Sequence, residues 1–258
     1  MEARRYGALI GFKYKTLTKE ESMSPIVKTA RIAGAVYLST LPLAIYFWSY
    51  LPGKLIARGN ATASAENILA HETLFRFSIL GDLFTHVILL CLAFLLYRLL
   101  FDVNRTWAFV MVGFVLVSTA VGFLNTLNSI AAVILFRGAD FLAVIDKAQR
   151  EALAMFFIRL HSQGFFINEI FSGLWLFPLG LLVFRSGFLP RFLGVWLMIA
   201  CFGWLVVSII ALVFPAYYDT AFSFAQPVVL GEMAFAFWLL IKGPYVKRIP
   251  SENAITAV

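Results

Sequence analysis

Six long apolar blocks, separated by short polar stretches, organise this chain. Each is longer than the roughly 18 residues that mark a helix able to cross lipid. The pattern predicts helices over about Ala30–Leu51, Phe75–Leu99, Trp107–Phe136, Phe157–Phe184, Pro190–Phe214 and Phe222–Ile241. The expected fold class is all-α integral membrane, a six-transmembrane-helix bundle. Pro42 lacks the backbone N–H a helix interior needs and predicts a kink in the first span. No segment alternates as a barrel strand does.

The stretch Asp140–Ile158 has a different character. Gly138 suits the end of a helix and Asp140 the start of one. Phe141, Leu142, Val144, Ile145, Ala148, Ala152 and Leu153 recur at helical spacing, while Asp146, Lys147, Gln149, Arg150 and Glu151 fill the other face. This predicts an amphipathic interfacial helix between helices three and four. A plain extension of helix four has the same pattern, and both readings stand at this point.

Orientation follows from the short loops. Arg98, Arg105, Arg185, Arg191, Lys242, Lys247 and Arg248 share one side with the basic N-terminal stretch, whereas Lys54, Arg58 and Arg76 face the other with Glu66 and Glu72. Lysine and arginine accumulate on the cytoplasmic side, so both termini are expected inside. Residues 1–22 are polar and basic, and Met23 opens a compact start before the first helix. The expected division is an extension over 1–22, a transmembrane domain over 23–243 and a cytoplasmic tail over 244–258.

Composition agrees: 61% of residues are hydrophobic and 14% charged, too few charges for a soluble surface. The net charge of +7 comes from tails and loops and forms no basic stripe with interleaved aromatics, so no nucleic-acid partner is expected. The expected partners are the lipid bilayer and a small solute, and the oligomeric state is left open. Cys91 and Cys201 both lie in apolar blocks and read as small hydrophobes.

Several motifs resemble a known family. Lys28–Leu38 (KTARIAGAVYL), Phe75-Arg76 with Gly81-Asp82, Leu96–Leu100 (LYRLL), Phe184–Gly194 (FRSGFLPRFLG), and Gly231-Glu232 through Lys242-Gly243 look like successive parts of it. This is an uncharacterised bacterial multi-pass membrane family, domain of unknown function 4386, and the resemblance runs from about Met23 to Gly243. It implies a bacterial plasma (inner) membrane protein, and brings neither activity nor site residues.

The candidate chemistry therefore rests on polar residues inside the spans. An ionisable group at the bilayer centre costs about 3 kcal/mol on insertion scales, and such groups mostly face the bundle interior or a watery cavity. Asp82 and His86 are one turn apart on helix two, so the carboxylate is expected to hold an imidazole nitrogen. Asn125 and Asn128 sit on helix three, Glu169 on helix four and Glu232 on helix six, with Arg76 and His161 near the outer ends of their helices. His161, Asn168 and Ser172 share a face of helix four, and Ser118, Gly122, Asn125 and Ser129 form a stripe on helix three. At 1.5 Å per residue most of these groups fall in the outer half, predicting a site that opens outward.

Two further expectations follow. Asp82 and Glu169 precede Arg98 and Arg185 by the same number of residues, which suggests a duplicated two-helix unit with both acids at one depth. Helix five, poor in polar residues beyond Ser208, is expected at the lipid-facing periphery.

The leading functional reading is a pocket that binds or translocates a small solute or protons. The alternatives are a structural or regulatory partner whose polar residues hold helices together, and a metal-assisted hydrolase or transferase acting on lipid. For the last, Asp82, His86, His161 and Glu169 are the candidate ligands of a divalent metal, the only cofactor considered. Other catalytic signatures are missing: His71-Glu72 is followed by Thr-Leu-Phe and not completed as HExxH, and Ser172-Gly173 lacks the first glycine of GxSG.

Overall fold

The structure, a computed structural model, describes residues 25–57 and 59–245. The proposed start at Met23, the extension 1–22 and residues 246–258 of the tail lie outside the described residues. Among the described residues six helical spans are long and apolar enough to cross a membrane: Pro25–Leu55, Glu72–Leu100, Arg105–Arg137, Lys147–Arg185, Arg191–Val213 and Pro215–Ile241. Among the described residues there is no strand.

Span one consists of α1 (Pro25–Ala44), a π-helical segment (Ile45–Tyr50) and α2 (Leu51–Leu55). Helix α3 (Ala61–Ala70) lies between spans one and two. Spans two and three are α4 (Glu72–Leu100) and α5 (Arg105–Arg137). Span four divides into α6 (Lys147–Leu174) and α7 (Leu176–Arg185). Spans five and six are built on α8 (Arg191–Val213) and α9 (Tyr218–Ile241).

Local chemistry explains several boundaries. Asn104 caps α5 by accepting from the Trp107 amide at 3.0 Å, and Gly138 ends that helix in the left-handed region at φ 68°. Pro42 sits inside α1, and the helix widens into its π segment three residues later. Pro178 cannot donate to the Leu174 carbonyl, and span four is interrupted next to that carbonyl, at Trp175.

The segment Asp140–Ile158 is not a separate interfacial helix. Asp140–Leu142 is a short 3-10 turn, and α6 begins at Lys147 and runs without a break to Leu174, well into span four. The cap is Asp146, whose carboxylate accepts from the Gln149 amide at 2.8 Å. No proline or glycine intervenes before Gly164, so nothing stops the first turns of α6 from continuing into the membrane. The helix outside the six spans is instead α3, capped by Asn60 and docked on α6 through Thr62, which donates to Glu151 at 2.9 Å.

Each span packs against its neighbours in sequence, and span six closes on span one, so the bundle is a ring. Glycines let two of the seams close. A methyl group at Gly34 would sit 2.8 Å from the Ala236 carbonyl oxygen across the seam of spans one and six, and Gly180 and Gly194 approach similarly between spans four and five. Contrary to the expectation of a peripheral helix, span five is a full ring member: Phe192, Ile199, Phe202 and Val206 face outward, while Leu193, Leu197, Ala200 and Ser208 are buried.

An even number of spans puts Pro25 and Ile241 on one face, here termed proximal; α3 and the Gly138–Asp146 connection lie on the opposite, distal face. The proximal half is a packed apolar core that includes Leu92, Leu96, Leu100, Met111, Leu179, Leu182 and Phe235, all fully buried. Cys91 is exposed on the apolar surface and Cys201 is buried, and neither forms a disulfide.

Candidate functional site

In the distal half the ring does not fill its centre. A cavity of about 350 Å³ runs down from the distal ends of the first four spans. Its walls carry Phe47, Trp48, Phe75, Phe165, Phe166 and Tyr218, and its polar groups are Ser78, Asp82, Thr126, Ser129, His161 and Ser162. The π segment positions the first two aromatics, since widening the helix by one residue re-aims the side chains that follow. The Phe47 ring packs where a Gly81 side chain would otherwise stand, which brings span one close over span two.

Asp82 forms the deep end and is buried. One carboxylate oxygen accepts from the Trp48 indole N–H at 2.8 Å; the other lies 3.7 Å from His161 Nε2, beyond hydrogen-bond length. Among the described residues no lysine or arginine lines the cavity.

His86 lies one turn deeper. Its Nδ1 is 2.9 Å from the Asp82 backbone carbonyl and 3.7 Å from the carboxylate, so the expected carboxylate–imidazole bond is replaced by a backbone one. That carboxylate oxygen is the one to which the Trp48 N–H donates. A carbonyl only accepts, so Nδ1 carries the hydrogen, and Nε2 accepts from the Asn168 amide at 3.0 Å. The Asn168 carbonyl oxygen then has no partner among the described residues. Gly122 makes room for the imidazole, because a methyl group there would fall on the ring.

Asn125 donates to the His161 backbone carbonyl at 2.9 Å, and Asn128 donates to Asn125 at 3.1 Å, so the two amides fasten span three to span four beside the cavity. Ser118 and Ser172 share a hydrogen bond of 2.9 Å lower on the same two spans. Asp82, His86, His161, Asn125 and Asn128 are thus brought together.

The remaining candidates lie elsewhere. Arg76 is on the distal surface, paired with Glu72 at 2.7 Å, and Arg137 reaches the same carboxylate at 3.4 Å. Glu232 sits between spans one, five and six, where the Tyr37 hydroxyl and the Trp204 indole N–H both donate to it. Glu169 lies within electrostatic reach of Glu232 and of Tyr218. The single convergent site expected from depth is therefore two places, one open and one packed. Because Asn168 meets His86, Glu169 stands about a turn, ~6 Å, deeper than Asp82, and the duplication's equal depth does not hold. The four candidate metal ligands do not gather either: among the described residues no three His, Cys, Asp or Glu side chains form a metal-binding group.

Trp48, Tyr37 and Trp204 were not legible as site residues. The one available signal was Tyr37 within an apolar run, since a buried phenol needs a hydrogen-bond partner.

An uncharacterized protein of Archaeoglobus fulgidus is 36% identical over 85 residues, which is 33% of this chain and 49% of that protein. This chain thus spans about half the length of that relative. No solved structure matches. Residues 32–243 match the family described as Domain of unknown function (DUF4386), covering all six spans in whole or in part, and the chain belongs to that family.

Proposed function

We propose that the protein binds a small solute, taken from the side of its distal loops, in the cavity that ends on Asp82 and His161. The observation that carries this reading is an open, mainly apolar cavity with a buried carboxylate at its deep end. Clefts of roughly 300–1,000 Å³ with few convergent polar groups are the usual form of ligand sites. Ionisable residues inside membrane spans most often serve such sites.

We read the distal side as the outer side of a bacterial inner membrane, with both termini cytoplasmic. Charge supports that orientation. Of the distal cations, Arg76 and Arg137 pair with Glu72 and Lys147 with Glu151, while the proximal turns hold Arg98, Arg105, Arg185 and Arg191. The apolar core below His86 closes the proximal side, so this arrangement is the outward-facing one. Transport would require parting that core.

Thermal stability in detergent tests the assignment of roles. Asparagine at position 82 still offers Trp48 an acceptor and has no charge to bury, so Asp82→Asn is expected to melt at or above the wild-type temperature. A much lower melting temperature would make Asp82 a structural group and remove the basis for the reading.

A further inference from the structure

The same cavity points to the charge of its ligand, an inference that rests on the pocket reading above. We propose that the cavity takes an organic cation: an ammonium group bound at Asp82, with an apolar or aromatic body against the walls.

Three observations converge. Among the described residues, Asp82 is the one carboxylate in the lining, and neither lysine nor arginine accompanies it there. Its second oxygen points into the cavity toward His161 but lies 3.7 Å from that ring, leaving an acceptor without a hydrogen bond of normal length. The walls around it are aromatic: Trp48 meets Phe165 edge-on at 5.2 Å, and Phe166 leans on Tyr218 at 5.1 Å. A ring face attracts a cation, and more strongly once water is displaced. An anion would face the carboxylate at close range in a medium that screens poorly. A neutral hydroxyl can donate to the free oxygen but leaves the buried negative charge uncompensated.

The test uses three probes of one skeleton with different charge: 2-phenylethylammonium, 2-phenylethanol and phenylacetate. Each is titrated into purified full-length protein in nanodiscs of zwitterionic lipid, with tryptophan fluorescence and calorimetry as readouts. The ammonium ion is expected to bind about tenfold or more tighter than the alcohol, and phenylacetate not at all. Asp82→Asn is expected to abolish the preference for ammonium over alcohol. Should that variant express poorly, the preference within the wild-type protein decides alone.

Equal or tighter binding of the alcohol or the carboxylate, lost when Ser78→Trp fills the cavity, would overturn the cation assignment and leave the pocket reading standing. Binding of any probe that survives Ser78→Trp, or no binding by all three, would overturn both.

Discussion

Asp82 and Glu232 are both carboxylates inside membrane spans, yet their surroundings assign them different work. Glu232 is held by two neutral donors, Tyr37 and Trp204, in a packed region. Glutamine there would offer one acceptor and turn its amide N–H groups toward the second donor. Glu232→Gln is therefore expected to lose about 1–3 kcal/mol of stability, read as a lower melting temperature, while Asp82→Asn loses none. Gly122 gives a second test at this scale. Gly122→Ala places a methyl group on the His86 ring and is expected to cost about 1–3 kcal/mol. Gly113→Ala, which has nothing within 4 Å, is the control for the gain in helix propensity and is expected to melt at or above the wild-type temperature in the same assay. At this scale the sequence was partly informative. Composition and helical spacing singled out Asp82, His86, His161 and the two asparagines. They missed Trp48, because a tryptophan near a span end reads as an interfacial anchor. His161, which spacing alone places at the interface, lies beside the carboxylate because the long α6 carries it down beside span two.

At the scale of elements, the π segment Ile45–Tyr50 is the feature on which the cavity most depends. A π turn holds one residue more than an α-helix needs, so removing one exposed residue restores regular geometry. Deletion of Tyr46 is expected to leave expression and melting close to wild type. It should rotate Trp48 away from Asp82, abolishing the fluorescence response to 2-phenylethylammonium. An unchanged response would show that the π segment does not shape the site. Nothing in the sequence beyond Pro42 announces this segment, since the hydrogen-bond register of a helix interior leaves little trace in residue type. The amphipathic reading of Asp140–Ile158 failed for a related reason. Periodicity identifies a two-faced helix but not what covers its faces, and here α3 covers one through Thr62 and Glu151.

For the whole molecule, hydrophobic block length was enough for six spans; the structure starts five of them earlier, span four most of all at Lys147, and trims span five slightly at both ends. Ring order was not legible. It depends on glycine seams such as Gly34 against Ala236, and on contacts between residues far apart in sequence. Without that order, depth along each helix suggests one polar site where the closed ring makes two. Ring closure also accounts for the asymmetry that matters most: aliphatic side chains fill the proximal half, while bulky aromatics and small polar groups leave the distal half open.

Access to the cavity tests that asymmetry most directly. In a background with Cys91 and Cys201 replaced by alanine, Ser78→Cys lines the cavity and Leu96→Cys lies in the proximal core. A membrane-impermeant maleimide applied outside intact cells is expected to label the cysteine at position 78 and to leave the one at position 96 unmodified. Labelling at position 78 only after the cytoplasmic side is exposed, or at neither position from either side, would contradict an outward-open binding cavity.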